Sequence, residues 1–241
     1  MSASSRYSAH LGLEPIGTAG QQGILDARVG LVGLGGLGCA VAQYLVSSGV
    51  GSLTLFDFDT VSESNLARQF LYRPEDVGLR KTEVAKSRLA ADNPQVALEI
   101  HDVRVDQEYL EAQLLSLDLL LDASDNYGTR QAVNRACLSA RVPWVMGAAI
   151  RMEGQLALFK PGGACYSCVY REAAQMLEDC PGAGIFASVA GIVGVSMAHL
   201  ALMHLAGLDS GTGLHVFDGR SNQWQRLALT RNPHCPECAD T

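Results

Sequence analysis

The run Arg28-Val29-Gly30-Leu31-Val32-Gly33-Leu34-Gly35-Gly36-Leu37-Gly38 leads through an alanine- and valine-rich stretch to Leu53-Thr54-Leu55-Phe56-Asp57-Phe58-Asp59. Nothing else in this sequence limits the choice of fold as strongly. It reads as a short apolar strand, a glycine-rich turn, a helix of about three turns and a second apolar strand ending in carboxylates. Gly33, Gly35 and Gly38 fit Gly-x-Gly-x-x-Gly, and Asp57 follows Gly38 by 19 residues, the spacing of a nucleotide-binding βαβ unit. Without Cβ atoms at the turn, phosphate oxygens reach backbone N–H groups at the positive end of a helix, and Asp57 is placed to accept hydrogen bonds from ribose hydroxyls. An adenine nucleotide is the first expectation. On this fingerprint alone a nicotinamide or flavin enzyme would be the usual owner, with glycines that merely let a helix pack on a sheet as the plainer reading.

Further along, a helix is predicted over Arg80–Ala91, stopped by Asn93-Pro94, with a strand over Val96–Ile100. A helix near Glu108–Leu115 leads to the apolar run Leu117–Asp122 and its acidic end Ala123-Ser124-Asp125-Asn126; a helix over Thr129–Ala140 and a strand over Pro143–Gly147 follow. This alternation predicts an α/β fold, a Rossmann-like doubly wound sheet of about five parallel strands. From Ala148 the pattern changes. Gly154–Phe159, Gly213–Phe217 and Gln223–Leu229 read as antiparallel strands that extend the same sheet. The organisation expected is one domain over 1–241, with an N-terminal helical arm (1–25), a nucleotide-binding half (26–147) and an antiparallel half (148–241).

With 241 residues, 48% of them hydrophobic, the chain can bury one substantial core. A net charge of −7 without a Lys/Arg run argues against nucleic acid and anionic membranes as partners. The first residues lack the apolar core of a secretory signal, so a cytoplasmic, reducing location is expected, where seven cysteines serve metal ligation, chemistry or packing. Cys165-Tyr166-Ser167-Cys168 and Cys235-Pro236-Glu237-Cys238 are two Cys-x-x-Cys pairs, and four thiolates suit a closed structural Zn²⁺ site. Cys180, alone in a polar loop, is a candidate acceptor of an acyl or sulfur group, while Cys39 and Cys137 read as core residues. Pro181–Leu208 contains no Asp, Glu, Lys or Arg; its glycines, serines and histidines favour a buried helix at an interface over a membrane span.

Taken in order, these motifs resemble the ThiF/MoeB/HesA adenylyltransferases, relatives of the ubiquitin-activating enzymes. The resemblance runs from about Asp26 to Cys238 and rests on the glycine turn, Asp57-Phe58-Asp59, Ser64-Asn65-Leu66-Ala67-Arg68-Gln69, Gly78-Leu79-Arg80-Lys81, Ala123-Ser124-Asp125-Asn126, Gly147–Gln155 and both cysteine pairs. The segment from Gly147 to Gln155 is nearest the MoeB branch. MgATP is implied in place of NAD, held by Gly33, Gly35, Gly36, Gly38, Asp57, Asn65, Arg68, Gln69, Lys81 and Asp125, with Arg68 and Lys81 on the triphosphate and Asp125 on Mg²⁺. The implied reaction joins the C-terminal Gly-Gly carboxylate of a ubiquitin-like sulfur carrier to AMP, in a homodimer served by a separate sulfur donor. The family's N-terminal helix usually reads Arg-Tyr-x-Arg-Gln, its second arginine reaching the partner subunit's ATP site; here the run is Arg6-Tyr7-Ser8-Ala9-His10, so Ala9 takes that place. A binding scaffold with little turnover is the reading that this change favours, and an NAD-dependent oxidoreductase is the more distant one.

Overall fold

In the computed structural model, which describes residues 3–170, 184–208 and 211–239, one eight-stranded sheet runs through the chain in the order β3-β2-β1-β4-β5-β6-β7-β8. The strands are β1 Arg28–Val32, β2 Ser52–Phe56, β3 Ala97–His101, β4 Leu119–Asp122, β5 Trp144–Ile150, β6 Glu153–Phe159, β7 Leu214–Asp218 and β8 Gln223–Leu227. The pairings from β3 to β5 are parallel and those from β5 to β8 antiparallel. The α/β expectation holds in both parts. β2 stops at Phe56, before the expected Asp59, because the Asp57 carboxylate turns inward to backbone N–H groups of Leu34 and Asp59.

The helices are α1 Ala3–Arg6, α2 Ser8–Leu11, α3 Gly17–Asp26, α4 Gly36–Ser48, α5 Lys81–Asp92, α6 Gln107–Leu114, α7 Tyr127–Ala140, α8 Tyr166–Val169 and α9 Ala187–Leu205. Side-chain caps set several starts. Asp106 accepts from the Tyr109 N–H at 2.8 Å to open α6, and Asn126 accepts from the Thr129 N–H at 2.9 Å, which starts α7 earlier than its periodicity alone suggests. Among the described residues the N-terminal arm, expected to be helical, is built of three helices. It is tied down by Tyr7, whose buried hydroxyl accepts from Asn93 Nδ2 at 3.0 Å, and by Gln21, whose Nε2 donates to the Ser48 carbonyl at 3.0 Å.

Two apolar layers sandwich the sheet. Leu119 and Leu121 enter the layer with α4 and α9, and Leu120 enters the opposite layer with α6 and α7, following the two-residue period of a strand. α9 is long and apolar enough to cross a membrane by length and composition. In this fold it lies against α4, β5 and β6 and buries Val189, Val193, Met197 and Ala201 there.

Candidate functional site

A cavity of about 590 Å³ opens at the carboxyl ends of the parallel strands, where β1 and β4 lie side by side and the connections diverge to opposite sides of the sheet. That switch point is the ligand crevice of an open α/β sheet. Its floor is the turn between β1 and α4. Gly33 has φ +89°, and a Cβ there would sit 2.9 Å from the Ala123 carbonyl oxygen, so only glycine fits the bend. Gly35 and Gly36 line the cavity at the start of α4, where unpaired N–H groups and the helix dipole favour an anion.

Gly38 has a different task from the one expected. It does not line the cavity; a Cβ at this position would fall 1.9 Å from the Gly33 carbonyl oxygen, so its hydrogen side lets α4 close onto the turn. The turn is braced on both sides of Leu34. Its N–H donates to Asp57 Oδ2 at 2.6 Å, and its carbonyl accepts from the Tyr72 hydroxyl at 2.9 Å and the Cys39 thiol at 3.5 Å. Burial pushes the Cys39 thiol up to about 12, so it is a neutral donor beneath the turn. Tyr72 is a brace that no local sequence pattern marks, 38 residues from the carbonyl it holds.

Asp57 lines the cavity while its two oxygens hold the Leu34 and Asp59 N–H groups. Burial raises its pKa; Lys81 and those two N–H groups oppose the shift. Asn65, Arg68, Gln69, Lys81 and Asp125 reach the same space. Lys81, 4% exposed, stands at the first turn of α5 with its Nζ 2.8 Å from Asp59 Oδ2. Arg68 donates to the Ser64 carbonyl at 3.1 Å, and Gln69 is buried with its Oε1 unpaired among the described residues. Asp125 is exposed and, among the described residues, has no hydrogen-bond or ion-pair partner. Two cations and an unpaired carboxylate beside a helix N-terminus suit a polyphosphate with a hard divalent cation.

The far wall comes from residues to which sequence reasoning assigned no role. Phe58, Val103, Arg104 and Val105 line the side next to β3, while Gln155 and Tyr170 line the side next to β6, with the Tyr170 hydroxyl donating to Gln155 Oε1. Cys180 lies outside the described residues. Asp122, fully buried under the site, has its pKa raised by burial against the pull of Arg130.

Away from the cavity, Cys165, Cys168, Cys235 and Cys238 converge so that their sulfur atoms all lie within 4.8 Å of one another. Individual separations are 3.9 Å for Cys165 to Cys168, 3.6 Å for Cys165 to Cys235 and 3.5 Å for Cys168 to Cys238. Four thiolates about a Zn²⁺ at about 2.3 Å would be spaced by about 3.8 Å on the edges of a tetrahedron. The cluster therefore fits a metal ion of that size. The Asn232 N–H points at Cys168 Sγ from 3.4 Å and, against the effect of burial, lowers its pKa, whereas burial raises that of Cys165. Glu237 pairs with Arg135 of α7 at 2.8 Å and carries the C-terminal turn onto the body of the fold.

Residues 7–237 match the model of the ThiF family. The molybdopterin-synthase adenylyltransferase of Escherichia coli K12 is 41% identical over 237 residues, covering 97% of this chain and 95% of the relative. The sulfur carrier protein ThiS adenylyltransferase of the same organism is 39% identical over 236 residues, covering 97% and 94%. Among solved structures, E. coli MccB with ATP superposes with a TM-score of 0.85 over 97% of this chain and 74% of that one; at 23% identity this likeness speaks for the fold alone.

Proposed function

This chain belongs to the ThiF family, and from that premise we propose that it is an ATP-dependent adenylyltransferase acting on the C-terminal Gly-Gly carboxylate of a small ubiquitin-like sulfur-carrier protein. The relatives above are named for adenylyl transfer to molybdopterin synthase and to the carrier ThiS. One observation carries the reading: a single crevice collects the glycine turn, Asp57, Arg68, Lys81 and Asp125 from five separate stretches of chain. Hydride transfer has no use for two cations and a free carboxylate at that place.

In this mechanism Gly33, Gly35 and Gly36 let the phosphates approach the N-terminus of α4, with Gly38 packing the helix against the turn. The edge of Asp57 meets the ribose. Asn65, Arg68 and Lys81 bind the triphosphate, with Gln69 as a lesser contact, and balance the charge that develops as pyrophosphate leaves. A Mg²⁺ bound at Asp125 would neutralise phosphate oxygens. The carrier carboxylate attacks the α-phosphorus in line, and being ionised at neutral pH it needs no general base. Sulfur then comes from a separate donor to the acyl-adenylate. Zn²⁺ at the four cysteines is structural, pinning the C-terminal turn to α8. The long apolar helix α9, with Val195 exposed, supports a homodimer.

Ala9 supports the second reading, a scaffold with little turnover. It is exposed on α2 and absent from the cavity lining, and Arg6, the nearest cation in the run, donates to the Asp92 carbonyl at 3.1 Å. ATP–pyrophosphate exchange, measured with and without a carrier ending in Gly-Gly, separates the two. Carrier-dependent exchange is the expected result, with a gain in Ala9→Arg if a trans-acting guanidinium is limiting. No exchange in either protein, despite nucleotide binding, would favour the scaffold.

A further inference from the structure

Asp125 reaches the crevice with no side-chain partner among the described residues, so its place is set by the backbone on either side of it. After it, Asn126 caps α7 by accepting from the Thr129 N–H at 2.9 Å. Before it, Ser124 is gripped from two directions: its N–H donates to Asp122 Oδ1 at 2.8 Å, and its carbonyl accepts from Arg130 Nη2 at 2.9 Å. These contacts fix the peptide planes on both sides of the Ser124 α-carbon, and the second plane leads directly into Asp125. Ala123 is held as well, since its N–H donates to the Val32 carbonyl at 2.8 Å and its own carbonyl lies against Gly33. Asp122 is 0% exposed and absent from the crevice lining, and its Oδ2 has no hydrogen-bond partner among the described residues. A carboxylate wholly removed from water is costly unless strong partners hold it. Here the partners are the Ser124 N–H and the attraction of Arg130, and both bear on the one segment.

We propose that Asp122 is a positioning residue, which together with Arg130 grips Ser124 so that the Asp125 carboxylate stands where the divalent cation of the nucleotide binds. The proposal rests on the adenylyltransferase reading. Asp122 ends β4 and is paired on both sides, with Val32 of β1 and Met146 of β5. Its side chain therefore carries the rigidity of the sheet two residues into the loop, one residue short of Asp125. A small hard cation demands near-ideal ligand geometry, and a carboxylate on an unanchored loop would have to be ordered anew at each binding. Groups standing behind a metal ligand commonly change metal affinity by about 10–100-fold. What the grip needs at position 122 is an acceptor for the Ser124 N–H, which asparagine supplies and alanine does not.

Isothermal titration of ATP, in EDTA and over a series of Mg²⁺ concentrations, tests the grip in wild type, Asp122→Ala, Asp122→Asn, Asp125→Ala and the variant carrying both alanines. Asp122→Ala should raise the Mg²⁺ concentration for half-maximal tightening about tenfold and leave the affinity for metal-free ATP unaltered. Asp122→Asn should recover most of that loss, and in the Asp125→Ala background Asp122→Ala should add nothing. An unchanged Mg²⁺ requirement in Asp122→Ala would overturn the proposal. So would an equal loss for metal-free ATP, which would make Asp122 a general support of the crevice, or a further loss of Mg²⁺ response in the double variant. If Asp122→Ala does not fold, Arg130→Met, which removes the donor to the Ser124 carbonyl, takes its place with the same expected rise and the same refuting outcomes. Wild-type ATP affinity that Mg²⁺ does not change would bring down the adenylyltransferase reading and the grip with it. A Mg²⁺-dependent wild type beside an indifferent Asp122→Ala would bring down the grip alone.

Discussion

Replacing Gly38 by Ala and Gly35 by Ala separates the two tasks that one glycine fingerprint combines. A Cβ at position 38 would lie 1.9 Å from the Gly33 carbonyl oxygen and 2.9 Å from its carbon. Carbon and oxygen ordinarily approach no closer than about 3.3 Å, so α4 and the turn must part by roughly 1.4 Å. Both sides of the contact are backbone, and no rotamer relieves it. Overpacking usually costs about 1–3 kcal/mol, and this case belongs at the upper end. For a chain of this size, about 3 kcal/mol corresponds to a thermal midpoint lower by roughly 6–12 °C. At position 35 the backbone is extended (φ −79°, ψ −154°), and the nearest atom to a new Cβ is Gln69 Nε2 at 3.8 Å. Gly35→Ala should therefore keep or slightly raise stability, by up to about 1 kcal/mol through the unfolded chain, while its methyl group stands in the phosphate path and weakens MgATP. Thermal unfolding and MgATP titration on both variants give the comparison. A Gly38→Ala protein as stable as wild type, or a Gly35→Ala protein with wild-type affinity and exchange, would refute this division of labour.

Arg68→Ala should lower pyrophosphate exchange by on the order of 10²-fold with an unchanged melting curve, whereas Lys81→Ala, which strips a buried cation from Asp59, should lower both exchange and stability; equal melting curves for the two variants would count against the buried pair. Cys238→Ser should take the protein from about one Zn²⁺ per chain to none and lower its urea midpoint. Metal-free wild type with an unaltered midpoint would contradict a structural zinc. The hydrogen bonds from Arg28 hold Asp118 below the usual carboxylate range. Because the folded value is the lower one, the stabilisation is present above the unfolded pKa of about 3.9 and lost as pH falls through the folded value. Asp118→Asn should flatten the acid limb of the stability profile, modestly since both side chains are half in solvent; an acid limb of unchanged slope would show that the pair does not contribute.

Local pattern carried most of the architecture. Strand alternation, the glycine turn and the acid 19 residues beyond it are short-range features, and each backbone segment obeys the same steric and hydrogen-bonding rules wherever it stands. The same holds for Arg68, Lys81 and Asp125, which follow strands β2 and β4 and so reach the carboxyl edge of the sheet once the sheet is parallel. The tertiary structure decided what depends on separations the chain cannot encode locally. Cys165 meets Cys235 across 70 residues, and Tyr72 holds a carbonyl 38 residues back. It moved Gly38 from ligand contact to helix packing, since only the docked α4 brings its α-carbon against the Gly33 oxygen. It also set Arg104 over Phe58, a contact that exists because β3 pairs with β2 and the segment after one lies beside the segment after the other. Spacing along the chain fixes which backbone conformations are affordable; which side chains meet is fixed by strand order.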